Sequence, residues 1–119
     1  LPHNHVKNSV VYTGTHDNNT ARGWFEDEAG PDQKKRLFDY IGRKVNARTV
    51  HWELIRLAMG AVSNLAIIPM QDVLGLAGQA RMNRPASTTG NWRWRLCPGQ
   101  IRASTVWKLA RMTEVFGRA

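Results

Sequence analysis

The chain is 119 residues long and carries 17 Lys and Arg against 9 Asp and Glu, a formal net charge of +8. That length holds one domain at most and excludes a self-contained (β/α)8 barrel, which needs roughly 250 residues. A hydrophobic share of 42% with 22% charged residues excludes a disordered polar chain, and a single cysteine, Cys97, excludes an internal disulfide.

In chain order, Ser9 to Thr15 (SVVYTGT) is β-branched and aromatic and predicts a buried strand. Asp17-Asn18-Asn19-Thr20 is loop and cap chemistry for the helix that follows. Gly30-Pro31 breaks the chain, and Asp32 is the expected cap of a helix to about Asn46 that buries Leu37, Phe38, Ile41 and Val45. Thr49 is the expected cap of a second helix to about Val62, burying Leu54, Leu57, Ala58 and Ala61. Leu65 to Ile68 is a continuous apolar run, the pattern of a parallel strand buried on both faces, and Pro69 closes it. Met70 to Leu76 predicts one or two helical turns, and Gly78 to Gly99 a long loop. The last helix, about Ala103 to Phe116, is expected to bury Val106, Leu109, Ala110 and Phe116, with Gly117 at its C′ position. Two strands with helices between them form a βαβ unit, too small a sheet for a domain. Together with an opening Leu1, this predicts a piece of a longer chain.

From Gly78 onward there are eight basic residues and one acid, Glu114. Such a tail suits an acidic partner such as nucleic acid, or carboxylates on a part of the protein outside this sequence. The longest uncharged stretch, Leu57 to Gln71, contains Ser63, Asn64 and Pro69 and is too short for a membrane span. No signal-peptide pattern opens the sequence, and with Cys97 alone a cytoplasmic location is expected. His3, His5, His16 and His51 match no metal-ligand spacing, so no metal is expected.

The end of the first strand is the chemically loaded position. In parallel α/β architectures ligands gather at the C-terminal ends of strands, and here His16 and Asp17 stand side by side with hydroxyl and amide neighbours. The same residues also read as a capping aspartate beside an incidental histidine. The second strand ends in Pro69-Met70-Gln71-Asp72, which places a second polar cluster on the same rim. In the loop beyond, Trp92, Trp94 and Leu96 alternate with Arg93 and Arg95, a pattern that suits sugar rings, bases or a lid over the core.

Four stretches, LPHN from Leu1, SVVYTGTHDNNTARGWF from Ser9, IPMQDVLGL from Ile68 and ARMNRPASTTGNWRWRL from Ala80, resemble in order and spacing the C-terminal part of the amylomaltases. These are the 4-α-glucanotransferases of glycoside hydrolase family 77. The resemblance implies that residues 1–119 are the C-terminal fragment of a catalytic (β/α)8 TIM barrel, about its last two strands with their helices and not a complete barrel. Ser9 to Thr15 would be the seventh strand and Leu65 to Pro69 the eighth. It implies transfer of α-1,4-glucan segments between maltooligosaccharides by a retaining double displacement, with no cofactor and with neither nucleic acid nor membrane as partner. The nucleophile and the acid/base carboxyl are expected upstream of Leu1.

By the same resemblance Asp17 is the third catalytic carboxylate, and His16, Asn83 and Pro85 are substrate-binding. Asn19 stands where the family often has aspartate, and Ala86 where glycine is frequent, which raises the question of the loop's backbone conformation there. The isolated fragment is expected to be inactive and to self-associate. The competing readings are a glycan-binding remnant without catalysis and a basic nucleic-acid-binding module.

Overall fold

The computed structural model describes every residue from Leu1 to Ala119. A 3-10 turn over Pro2–Asn4 leads to strand β1 (Val10–Tyr12). Helix α1 (Ala21–Gly23) runs directly into a π-helical turn, Trp24–Glu28, followed by α2 (Pro31–Ile41) and α3 (Val50–Gly60). Strand β2 (Leu65–Ile67), the short helix α4 (Met70–Val73), a 3-10 turn over Gly78–Ala80 and helix α5 (Ala103–Val115) complete the chain.

The two strands pair in parallel, Val10 opposite Leu65, Val11 opposite Ala66 and Tyr12 opposite Ile67. Side chains alternate across a strand, so the sheet has two unlike faces. Val11 and Ala66 point to the helices, where Val11 packs with Ala58 and Ala61 of the α3 end. Ile55 and Met59 of α3, Val73 of α4 and Met112 of α5 form the adjoining cluster, with Trp52, Ile68, Leu109 and Phe116 packed on it. The other face carries Val10, Tyr12, Leu65 and Ile67, all exposed, Leu65 at 58% and Ile67 at 47%. The expectation of a strand buried on both faces is therefore corrected. The residues suit double burial, but a two-stranded sheet has helices on one side only.

Several boundaries differ for identifiable reasons. Strand pairing stops at Tyr12 rather than Thr15. The segment beyond turns away, closed by Asn18 Oδ1, which accepts from the Thr15 amide at 2.8 Å and the Thr15 hydroxyl at 3.0 Å. Helix α2 begins two positions earlier than Asp32 capping requires. Gly30 is the N-cap, Pro31 the first helical residue, and Asp32 an acid in the first turn, where it complements the helix dipole. It ends at Ile41 rather than Asn46 because Gly42 takes a left-handed conformation, φ +79°. Thr49 holds the N-cap position of α3, yet its hydroxyl turns back toward Asn46 instead of capping the helix. On α5 the core face is Leu109, Met112 and Phe116, while Val106 and Ala110 are exposed. Gly117 has the left-handed backbone its position calls for, φ +63°.

The basic C-terminal half is largely engaged within the molecule. Arg118 donates to the carbonyl oxygens of Met59 and Ala61, both at 2.7 Å, and of Ser63 at 3.0 Å. One guanidinium thus satisfies carbonyls left unpaired where α3 ends. Lys108 lies over the Trp52 ring, Arg111 pairs with Glu114, and Arg84 and Arg95 donate to backbone carbonyls.

Candidate functional site at the strand ends

The C-terminal ends of β1 and β2 open on a cavity of about 460 Å3, whose lining includes Tyr12, Thr15, His16, Asn18, Gln71, Asp72 and Arg81. Three segments build it. The first is the turn after β1, the second is α4 directly after β2, and the third is the start of the long loop. Both polar clusters expected at the strand ends thus meet on one rim.

Asp17 lies on the lip of this cavity. Its Oδ1 accepts from Asn83 Nδ2 at 2.7 Å, and its Oδ2 lies 3.3 Å from His16 Nε2. Arg81 reaches across to the same segment, its guanidinium donating to the Asp17 carbonyl at 3.1 Å. Residues far apart in sequence therefore converge on one carboxylate, and His16, Asp17 and Asn83 form one group. Pro85 does not join it. It is exposed on the following turn. His16 and Asp17 each keep about half their side-chain surface exposed, at 56% and 52%. A carboxylate offers about four acceptor positions, so Asp17 retains acceptor capacity after Asn83 and His16 are served.

Trp92 supplies an apolar wall. Its ring centroid is 5.1 Å from that of His16. It is the one non-glycine residue with positive φ, +61°, and its amide donates to the Met82 carbonyl at 2.6 Å. That uncommon backbone conformation folds the long loop back so that the indole reaches the rim. Ala86 has no left-handed backbone, so the question its glycine-like position raised is answered.

The polar support lies beneath. Asp72 is 2% exposed, and burial pushes its carboxyl above the ordinary range, opposed by hydrogen bonds from the Ala21 amide and the Thr13 hydroxyl. Asn19 lies where α1 and the 3-10 turn cross. A Cβ on Gly23 would meet its Oδ1 at 2.1 Å and the Gly78 Cα at 2.9 Å, so glycine at position 23 is needed for this close approach. Thr20 caps α1, its hydroxyl accepting from the Gly23 amide at 3.0 Å. No group of three or more His, Cys, Asp and Glu side chains stands close enough to hold a metal ion. No helix is long and apolar enough to cross a membrane.

Asp72 and Trp92 are the members that sequence reasoning left unassigned. The IPMQD segment marked Asp72 as a rim residue, but its partners Thr13 and Ala21 are visible only once β1, α1 and α4 are assembled.

A parallel strand pair with a histidine–aspartate group at its C-terminal ends places that group where parallel α/β architectures bind ligands. The model of glycoside hydrolase family 77, described as 4-alpha-glucanotransferase, matches residues 1–100, and the chain belongs to that family. It is 47% identical over 119 residues to a 4-alpha-glucanotransferase of Synechocystis sp., covering 99% of this chain and 23% of that protein. It is 51% identical over 96 residues to the enzyme of the same name from Aquifex aeolicus, covering 81% of this chain and 20% of the relative. Among solved structures, an amylomaltase from Streptococcus agalactiae in complex with acarbose superposes with a TM-score of 0.90 at 32% identity, over 98% of this chain and 23% of that one. The chain thus spans between a fifth and a quarter of the length of these relatives.

Proposed function

We propose that residues 1–119 are the C-terminal portion of a (β/α)8 catalytic domain, with β1 and β2 as its seventh and eighth strands. The whole enzyme is a cytoplasmic 4-α-glucanotransferase that moves α-1,4-glucan segments between maltooligosaccharides with retention. The observation that carries this reading is the Asp17 group. A carboxylate held by Asn83 and His16 stands at the end of a parallel strand, on the rim where such architectures bind ligands. The apolar row Val10, Tyr12, Leu65 and Ile67 supports it as well, since a barrel interior is filled with strand side chains rather than water.

In this reading Asp17 and His16 bind hydroxyls of the glucosyl unit being transferred. The carboxylates that break and re-form the bond lie upstream of Leu1. Asp17 accepts hydrogen bonds from the sugar that strengthen as positive charge develops at the anomeric carbon. His16 aligns the carboxylate, and Trp92 offers an indole face beside it.

The test is incubation with maltotriose. The complete enzyme is expected to yield both longer and shorter oligosaccharides, whereas the isolated 119 residues leave maltotriose unchanged. The isolated chain is also expected to self-associate in sedimentation, because both sheet edges and one apolar face are uncovered. A complete enzyme that binds maltotriose without redistributing it would instead identify a glycan-binding remnant. A monodisperse monomer of the isolated chain would contradict the barrel-fragment reading.

A further inference from the structure

Asp72 is buried, sits on α4 immediately after β2, and uses both carboxylate oxygens on one segment of chain. Oδ2 accepts from the Thr13 hydroxyl at 2.6 Å, and Oδ1 accepts from the Ala21 amide at 2.8 Å. Thr13 and Ala21 are the two ends of the segment Gly14 to Thr20, which carries His16 and Asp17. We propose that Asp72 is a positioning residue for the transfer reaction, a buried clasp that closes the base of the Asp17 loop and fixes that carboxylate relative to the sugar. The inference rests on the reading of Asp17 given above.

Three features favour a clasp over direct contact with substrate. Both oxygens are already engaged by donors of this chain, one on each side of the Asp17 loop. The residue is nearly inaccessible, at 2% exposure. The loop it brackets is also tied internally, by Asn18 on Thr15 and by the Thr20 cap on Gly23, which leaves the base of the loop as the place where its orientation is set. Thr13 continues from β1 and Asp72 follows β2, so the clasp also joins the two strand ends across the rim. A carboxylate fits this place because it accepts from two donors at once, and an amide reproduces the pattern if the Thr13 hydroxyl reverses and accepts. Substrate-positioning groups of this kind act through small displacements, and about 1 Å can cost on the order of 100-fold in rate.

The test uses the complete enzyme and four variants. Asp72→Ala is expected to lower kcat on the order of 100-fold with KM within a few fold, and Asp72→Asn to recover most of that loss. The decisive readout is the double variant with Asp17→Asn. If Asp72 acts through Asp17, adding Asp72→Ala to Asp17→Asn costs little further kcat, whereas independent roles multiply. Should Asp72→Ala fail to fold, Thr13→Val opens the same clasp from the other side and enters the same cycle. Multiplying effects, or a folded Asp72→Ala enzyme with unchanged kcat, would overturn the inference. If Asp17→Asn itself leaves kcat intact, the reading of Asp17 fails first, a result distinct from failure of the clasp.

Discussion

Replacing Asp17 by asparagine in the complete enzyme is expected to lower kcat on the order of 1,000-fold while changing KM only a few fold. Asparagine matches the carboxylate in shape and keeps one oxygen for Asn83, so the loop survives. It loses the charge and replaces the second oxygen with a donor directed toward His16. A hydrogen bond to an ionised acceptor is roughly twice as strong as a neutral one. Sugar hydroxyls become better donors as the ring approaches an oxocarbenium ion. The lost interaction is therefore larger in the transition state than in the bound ground state, which is the condition for a kcat effect. Steady-state kinetics on maltotriose provide the measurement. A rise in KM with kcat preserved would make Asp17 a simple binding residue and remove it from catalysis.

The second large effect is on stability in acid. His51 is buried on α3, with its Nδ1 unpaired, its ring beside Trp52, and Gly75 packed against it. Gly75 has φ +66°, and a Cβ there would lie 2.6 Å from the imidazole, so backbone closes off the ring on that side. Burial above all, then the positive charges of Lys108 and Arg22, holds the imidazole pKa down to about 4 from its ordinary 6.5. The folded imidazole thus stays neutral to about pH 4, whereas in the unfolded chain it takes up a proton near pH 6.5. The unfolded state binds more protons in that window, so acid favours it. The contribution is complete above pH 6.5 and is lost progressively down to about pH 4, by about 3 kcal/mol. Urea unfolding of the complete enzyme across that range, compared with His51→Leu, isolates the term from the carboxylates that titrate beside it. The variant is expected to show a shallower fall, and equal slopes would contradict a buried neutral His51.

How far the sequence predicted this molecule follows from the range of the interactions involved. Local signals held at some positions and not at others. Thr20, one of four cap candidates, caps α1 and Gly117 takes the left-handed position after α5, whereas Gly30 rather than Asp32 is the N-cap of α2 and the Thr49 side chain does not cap α3. Gly42 is a stop of the same kind as Gly117, masked in the sequence by an apolar spacing that continues to Val45. Burial on α5 was half legible. Periodicity defines a stripe but not its edges, and the neighbours of α5 select Leu109, Met112 and Phe116 over Val106 and Ala110.

At the site, the HDN motif located His16 and Asp17, and the NRP motif located Asn83. The 2.7 Å bond between Asn83 and Asp17 spans elements that no local pattern connects. Asp72 reads in the sequence only as a polar residue after a strand, because its two donors, Thr13 and Ala21, lie beyond the end of the other strand. Pro85 shares the motif of Asn83 but not its contacts. The exposed row on the sheet departs from expectation for a different reason: Leu65 and Ile67 carry the pattern of a strand packed on both sides, and this chain covers one side.

Central to this account is that the chain is the last part of a glucanotransferase barrel whose bond-breaking carboxylates lie upstream. The most direct measurement is the encoding DNA read in frame upstream of Leu1. The account predicts an open frame that supplies the remaining three quarters or so of a relative's length. That frame should carry an aspartate and a glutamate at the ends of two earlier barrel strands. A stop codon directly upstream of Leu1 would contradict it.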